Sequence, residues 1–256
     1  MKKMQFSSLI VLIASCLFVG NLAAQTKLAF NGPYTGVSLG YNQSSVQEGD
    51  VSAQYANGIG NYIGNNGQNS KSSGVIGGLN FGYDHRINNL VIGALLSVDF
   101  PSGTANGYAA RSDATSPVAN APISSSTQIS SLIALKPKFG WVFDNKTAIY
   151  GMAGIALGSV KRTISDESPA SCGCIWWANN VPLSSTQNKF GYTLGIGAET
   201  LITDNLSLKL EMNYVDLGSI SSSYSAFVPL LNATTSIQQS AKVTNLATTL
   251  GLSYKF

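Results

Sequence analysis

The sequence predicts an all-β protein: a single antiparallel transmembrane β-barrel of eight strands, with long outer loops and short periplasmic turns. Three observations carry that expectation. An export signal opens the chain, runs of alternating apolar and polar residues recur along it, and the links between those runs are alternately long and very short.

The signal comes first. Lys2 and Lys3 supply a positive start, Leu9 to Val19 is almost wholly apolar, and Leu22-Ala23-Ala24 offers small residues for cleavage. Residues 1–24 are therefore read as a cleaved signal peptide and residues 25–256 as the barrel domain. The apolar run is shorter than the ~20 residues a membrane-spanning helix needs. Ile13-Ala14-Ser15-Cys16 resembles a lipoprotein box, which would make Cys16 a lipidated N-terminus; Leu17-Phe18-Val19 carries the apolar segment past it, which favours cleavage after Ala24. The mature chain then holds 13 Lys and Arg (15 minus Lys2 and Lys3) against 12 Asp and Glu, a net charge of +1 that gives no case for a nucleic-acid partner. Charged residues are only 11% of the chain and no later stretch is long and apolar enough for a helical span, so any crossing must be made by strands.

Eight segments follow the period of two expected of strands: Tyr34 to Tyr41, Gly74 to Asp84, Leu90 to Phe100, Ile129 to Phe143, Thr147 to Lys161, Phe190 to Ile202, Leu206 to Leu217 and Val243 to Phe256. His85 to Asn89, Asp144 to Lys146 and Thr203 to Asn205 are the short links, predicted to be periplasmic. The other links are long, polar and predicted to lie outside, so Asn66 and Ser125 should face the exterior. In the seventh segment Leu206, Leu208, Leu210, Met212 and Tyr214 share one face, opposite Ser207, Lys209, Glu211 and Asn213. The charged face is too narrow and glycine-rich for the outside of a soluble barrel, so it is assigned to the lumen and the apolar face to lipid. Tyr83, Trp141, Phe143, Tyr254 and Phe256 at one end, and Tyr41, Phe100, Phe190 and Tyr214 at the other, suit the two membrane interfaces.

Two stretches resemble a known family. LKPKFGWVFDNKTAIYGMAGIALGSV (Leu135 to Val160) and FGYTLGIGAETLITDNLSLKLEMNYVDLGS (Phe190 to Ser219) are similar to the fourth to seventh strands of the opacity-like outer-membrane immunogenic proteins of alphaproteobacteria. The resemblance extends to the first strand and to the end at Tyr254-Lys255-Phe256. It implies a barrel fold, an outer-membrane location and a porin-family label. Independently, the last strand, ending on the aromatic Phe256, resembles the signal by which the barrel assembly machinery recognises its substrates, although an ordinary closing strand would end the same way. Lys136-Pro137-Lys138 stands where the family usually has Arg-Gly-Arg, and a proline without a backbone donor predicts a bulge or local break there.

No catalytic residue, cofactor or metal site is expected. A barrel enzyme needs a base and a nucleophile together near the outer leaflet, whereas the one histidine, His85, falls at the periplasmic side. Cys172 and Cys174 are candidates for a disulfide in the third outer loop, with intermolecular pairing or free thiols as alternatives. The adjacent Ile175, Trp176 and Trp177 form a candidate surface contact for a host surface, a lipid headgroup or a hydrophobic ligand, and with Tyr224 they suggest haem capture as one alternative function. A loop that packs its own aromatics beneath itself would look the same.

Within the lumen, residues whose numbers sum to 408 face one another across the turn at Asp204, which sets Glu199 opposite Lys209. Lys136, Lys138, Glu199, Lys209 and Glu211 are the predicted lumen charge network. The function read from the sequence is a non-enzymatic surface barrel that supports the envelope, sits among outer-membrane lipid and lipopolysaccharide, and presents its loops for adhesion or ligand contact. A small porin is the alternative, ranked second because an eight-stranded interior is just wide enough to be filled by its own side chains.

Overall fold

The periplasmic turns show how local sequence starts the barrel. Asp144 and Asn145 both take positive φ (51° and 54°), and Lys146 N–H donates to Phe143 O at 3.2 Å. Those dihedrals are the type I′ turn that matches strand twist, and Asp and Asn tolerate them better than branched residues do. Asn88, at φ 55°, begins the two-residue link Asn88-Asn89. The third turn uses its threonine, whose Oγ1 accepts from Leu206 N–H at 3.0 Å.

The computed structural model describes residues 29–55, 61–64, 69–109, 123–166, 183–228 and 233–256. In chain order the strands are β1 (Gly32–Tyr55), β2 (Asn61–Gly64), β3 (Asn69–Ile87), β4 (Leu90–Pro101), β5 (Ala105–Ala109), β6 (Ile123–Phe143), β7 (Thr147–Asp166), β8 (Leu183–Leu201), β9 (Leu206–Val228) and β10 (Ala233–Lys255). The ladder runs β10-β9-β8-β7-β6-β4-β3-β1, and β10 also pairs with β1, so the sheet closes on itself. Among the described residues β2 pairs with β1 alone, and β5 pairs with β6 beyond the end of β4. Removing these two short pieces from ten leaves the eight strands of an antiparallel barrel. Closure leaves no edge, which hydrocarbon would not tolerate.

The two faces separate as the alternation requires. Leu210 is 53% exposed and Phe190 78%, while Ser207, Lys209 and Glu211 are buried. Tyr83, Trp141, Phe143, Tyr254 and Phe256 are exposed near the turns, and Tyr41, Phe100 and Phe190 near the other boundary. From Phe143 to Ile133 is ten steps (143 − 133). At ~3.3 Å per residue and ~40° of tilt, that is about 25 Å along the membrane normal, the height of an outer-membrane apolar band. Leu210→Lys, placed near mid-height, is expected to cost about 2–4 kcal/mol in urea unfolding of the detergent-folded protein. Gln47→Lys, on the outward face above the aromatic band, should shift it by less than about 0.5 kcal/mol.

Three expectations change. The strands are longer than the alternating segments: β1 has 24 residues and β9 and β10 have 23 each. A tilted strand crosses a membrane in ~9–11 residues, so the barrel wall continues well beyond it. Ser125, expected in an exposed loop, lies on β6 with its side chain buried. His85 is on β3, because the turn is only Asn88-Asn89, and its Nδ1 is 3.2 Å from Asn31 Oδ1. The reason is common to the first two. Ser, Thr, Asn and Gln can sustain a ladder with no apolar alternation to mark it.

Bulges account for the rest of what alternation misses. On β6 the register shifts between Ile129 and Ser131, on β1 between Glu48 and Val51, and between Lys242 and Thr244 where β10 meets β9. An extra residue flips the strand. Ile129 and Leu132 consequently both face inward, as do Leu217 and Ile220 on either side of Gly218 (φ 69°). At Pro137 the β6–β7 ladder lapses between Leu135↔Ile155 and Lys138↔Met152 without a register shift.

Candidate functional site

The lumen is built in tiers of inward side chains. Nearest the turns, Phe30, Val91, Val142 and Ala148 form an apolar cluster. Above it is a charged tier. Glu199 and Lys209 are Cα partners across the β8–β9 hairpin, and Lys209 Nζ lies 3.8 Å from Glu199 Oε2. Lys138 of β6 reaches Asp84 Oδ2 at 2.7 Å and Glu199 Oε2 at 3.6 Å. Lys255 of β10 reaches Glu199 Oε1 at 2.9 Å and Asp84 Oδ2 at 3.5 Å. Ser207 Oγ donates to Glu199 Oε1 at 2.7 Å.

Three ammonium groups thus share two carboxylates in a site with almost no solvent. The surplus positive charge meets an aromatic face: the Tyr34 ring centroid lies 3.6 Å from Lys209 Nζ, 5.0 Å from Lys255 Nζ and 5.1 Å from Lys138 Nζ. Ring quadrupoles attract desolvated cations most strongly. The inward glycines make room for these rings, since a Cβ on Gly82 would collide with Tyr34 and one on Gly197 with Tyr150.

Lys136 and Glu211 belong to the next tier rather than to the same ion-pair cluster. Lys136 Nζ donates to Asn213 Oδ1 at 3.3 Å, Asn213 Nδ2 to Glu211 Oε2 at 3.4 Å, and Tyr150 Oη to Glu211 Oε1 at 2.8 Å. A cavity of about 20 Å³ lies among Lys136, Glu211, Asn213, Asp99 and Thr193, room for about one water. A larger apolar tier follows, with Ile129, Leu132, Val160, Leu217, Ile220 and Val243 at its centre.

A second charged tier closes the upper wall, above the membrane. The Arg162 guanidinium of β7 pairs with the Glu48 carboxylate of β1. In the ring order these strands are four places apart in either direction, so the pair spans the lumen. Gln239 Nε2 donates to Glu48 Oε2 at 3.0 Å and Ser125 Oγ to Glu48 Oε1 at 2.9 Å.

The five sequence-predicted lumen residues are thus all inward, three in one ion-pair cluster and two in the tier above. Asp84, Lys255, Tyr34, Tyr150 and the Glu48–Arg162 pair were not in that prediction. Alternation would have found Asp84 and Lys255, which oppose Tyr83 and Tyr254 in parity. Glu48 and Arg162 keep the inward parity of Tyr34 to Val46 on β1 and of Ala148 to Val160 on β7, but they lie beyond Tyr41 and Lys161, the ends of the alternating segments. Cys16, Cys172, Cys174, Ile175, Trp176, Trp177 and Asn66 lie outside the described residues, as does the side chain of Tyr224.

The family model for the outer membrane protein β-barrel domain matches residues 10–256. The chain belongs to this family. Its relatives include the 31 kDa outer-membrane immunogenic protein of Brucella melitensis, 28% identical over 72% of this chain and 68% of the relative. The 22 kDa outer membrane protein of Rhizobium leguminosarum is 33% identical over 29% of this chain and 28% of its own length. Among solved structures, OprG of Pseudomonas aeruginosa superposes with a TM-score of 0.49 at 11% identity, covering 91% of this chain and 99% of that one. The protein is an outer-membrane β-barrel, and the charged tiers described above occupy the interior of that membrane-spanning fold.

Proposed function

We propose that this family member is a non-enzymatic surface barrel that works with its lumen closed, contributing to envelope integrity and presenting its outer loops for adhesion or ligand contact. One observation carries the reading: successive apolar and charged tiers fill the interior, and the cavity among Lys136, Glu211 and Asn213 has about 20 Å³. An aqueous path needs a wider barrel, of about sixteen strands in the porins. The absence of catalytic chemistry is supported by the position of the one histidine at the turn end of β3, held by Asn31 and remote from the outer leaflet where a lipid- or peptide-cleaving barrel would work.

Planar bilayers containing the refolded full chain test it at several salt concentrations. No stable unit conductance is expected. A steady conductance that scales with salt would replace this reading with that of a small porin.

A further inference from the structure

The lipid-facing surface is not uniformly convex. An open depression of about 890 Å³ crosses it from Ile92 on β4 to Leu246 on β10. Its floor is small because Gly151 and Ala153 are the outward residues of β7 there, and nothing lies within 4 Å of where a Gly151 side chain would begin. Phe139 flanks it on β6, and Leu194 and Ile196 flank it on β8.

Its course follows the ladder. Phe139 pairs with Gly151, Gly151 with Ile196 and Ile196 with Met212; one row up, Leu194 pairs with Tyr214 and Tyr214 with Leu246. From β4 to β10 there are five strand spacings, ~24 Å at ~4.8 Å each. Because strands tilt, this furrow climbs from the turn side toward the outer boundary. Gly151, level with Phe139 and so four of the ten steps up from Phe143, lies close to mid-height, and the part of the furrow from Ala153 to Leu246 lies in the outer half of the band.

A polar cluster stands at the outer end, on the row above Tyr214. Tyr192 and Asp216 are Cα partners there, and Tyr192 Oη lies 3.2 Å from Asp216 Oδ2. Lys242 Nζ lies 3.1 Å from the same oxygen while its side chain stays 49% exposed. Gly218 N–H donates to Asp216 Oδ1 at 2.8 Å, which fixes the carboxylate. The Lys242 ammonium therefore has donors left over, held in place at the membrane boundary. Lys71 is exposed on β3, across β1 from β10. Among the described outward side chains of β3, β1, β10 and β9 at this level, two ammonium groups face one carboxylate.

We propose that the furrow and the Lys242 cluster together bind one phosphate-bearing, acylated glycolipid of the outer leaflet, an acyl chain lying along Gly151 and Ala153 and a phosphate accepting from Lys242. A second copy of the chain fits worse. Two copies meeting face to face at a concave patch would leave its floor unfilled, whereas a flexible chain fills it.

The test is native mass spectrometry of the delipidated, detergent-folded full chain titrated with lipid A or with phosphatidylethanolamine. Wild type is expected to hold one lipid A about tenfold more tightly than phosphatidylethanolamine, as a charge-assisted contact would give. Lys242→Gln should remove that preference, and Gly151→Leu should weaken lipid A by about fivefold through lost packing. Ala153→Phe replaces Gly151→Leu if the latter loses its heat-modifiable gel shift. Equal affinity of wild type for the two lipids, unchanged lipid A affinity in both variants, or a protein dimer that the furrow variant dissociates would each overturn the proposal.

Discussion

Glu199→Ala is expected to lose about 3–5 kcal/mol of unfolding free energy, the cost of breaking a buried ion cluster from one side. Glu199 is 1% exposed and touches three ammonium groups, those of Lys138, Lys209 and Lys255. Its loss leaves Asp84, which reaches Lys138 at 2.7 Å and Lys255 at 3.5 Å, to balance the three ammonium groups. The Tyr34 face offsets a surplus of one charge and not of two. Uncompensated ammonium groups then draw in water, and the tier that blocks the lumen loosens. Urea titration of the folded barrel reads the stability, and planar bilayers read the seal. A silent wild type beside a conducting, less stable variant is the expected pair. An equally stable variant, or a wild type that conducts with current unchanged by the substitution, would show that the cluster does not plug the barrel.

Glu48→Ala is expected to have an effect of similar size, also about 3–5 kcal/mol, but confined to the wall above the membrane. Glu48 ties β1 to Arg162 of β7, Gln239 of β10 and Ser125 of β6. Removing it leaves the Arg162 guanidinium buried without its carboxylate, with Nε and Nη1 already lacking partners. The upper parts of β6, β7 and β10 should become protease-sensitive and exchange amide hydrogens faster, while the Leu210 region stays protected. Replacing both partners by apolar residues, as in Glu48→Leu with Arg162→Met, should recover most of the loss, because the desolvated charge is gone with the bond. Unchanged proteolysis of Glu48→Ala would mean that the ladders alone hold the upper wall.

The Glu199–Lys209 pairing was legible because a hairpin register follows from one turn, and the turn at Asp204 is marked by its own residues. The neighbours of that pair were less legible. Lys138 and Lys255 come from strands on opposite sides of the β8–β9 hairpin, and only closure of the ring brings them to one carboxylate. Lys136 was expected in the same network. It lies two residues from Lys138, one inward step along β6, and at that height its Nζ donates to Asn213 Oδ1.

What the sequence determined by itself was local and periodic: the strands that cross the membrane, which of their faces meets lipid, the tight turns, and an inward set of charges. These follow from a side-chain period of two set against lipid on one face and a packed interior that holds the charges on the other. The tertiary structure decided what depends on strands distant in the chain or on a shift in that period. It extended the wall through hydroxyl- and amide-rich segments, placed Glu48 against Arg162 across 114 residues of sequence, and set Tyr34 among three ammonium groups. A bulge adds one residue and reverses every side chain beyond it, and ring closure sets partners by position around the barrel rather than by distance along the chain.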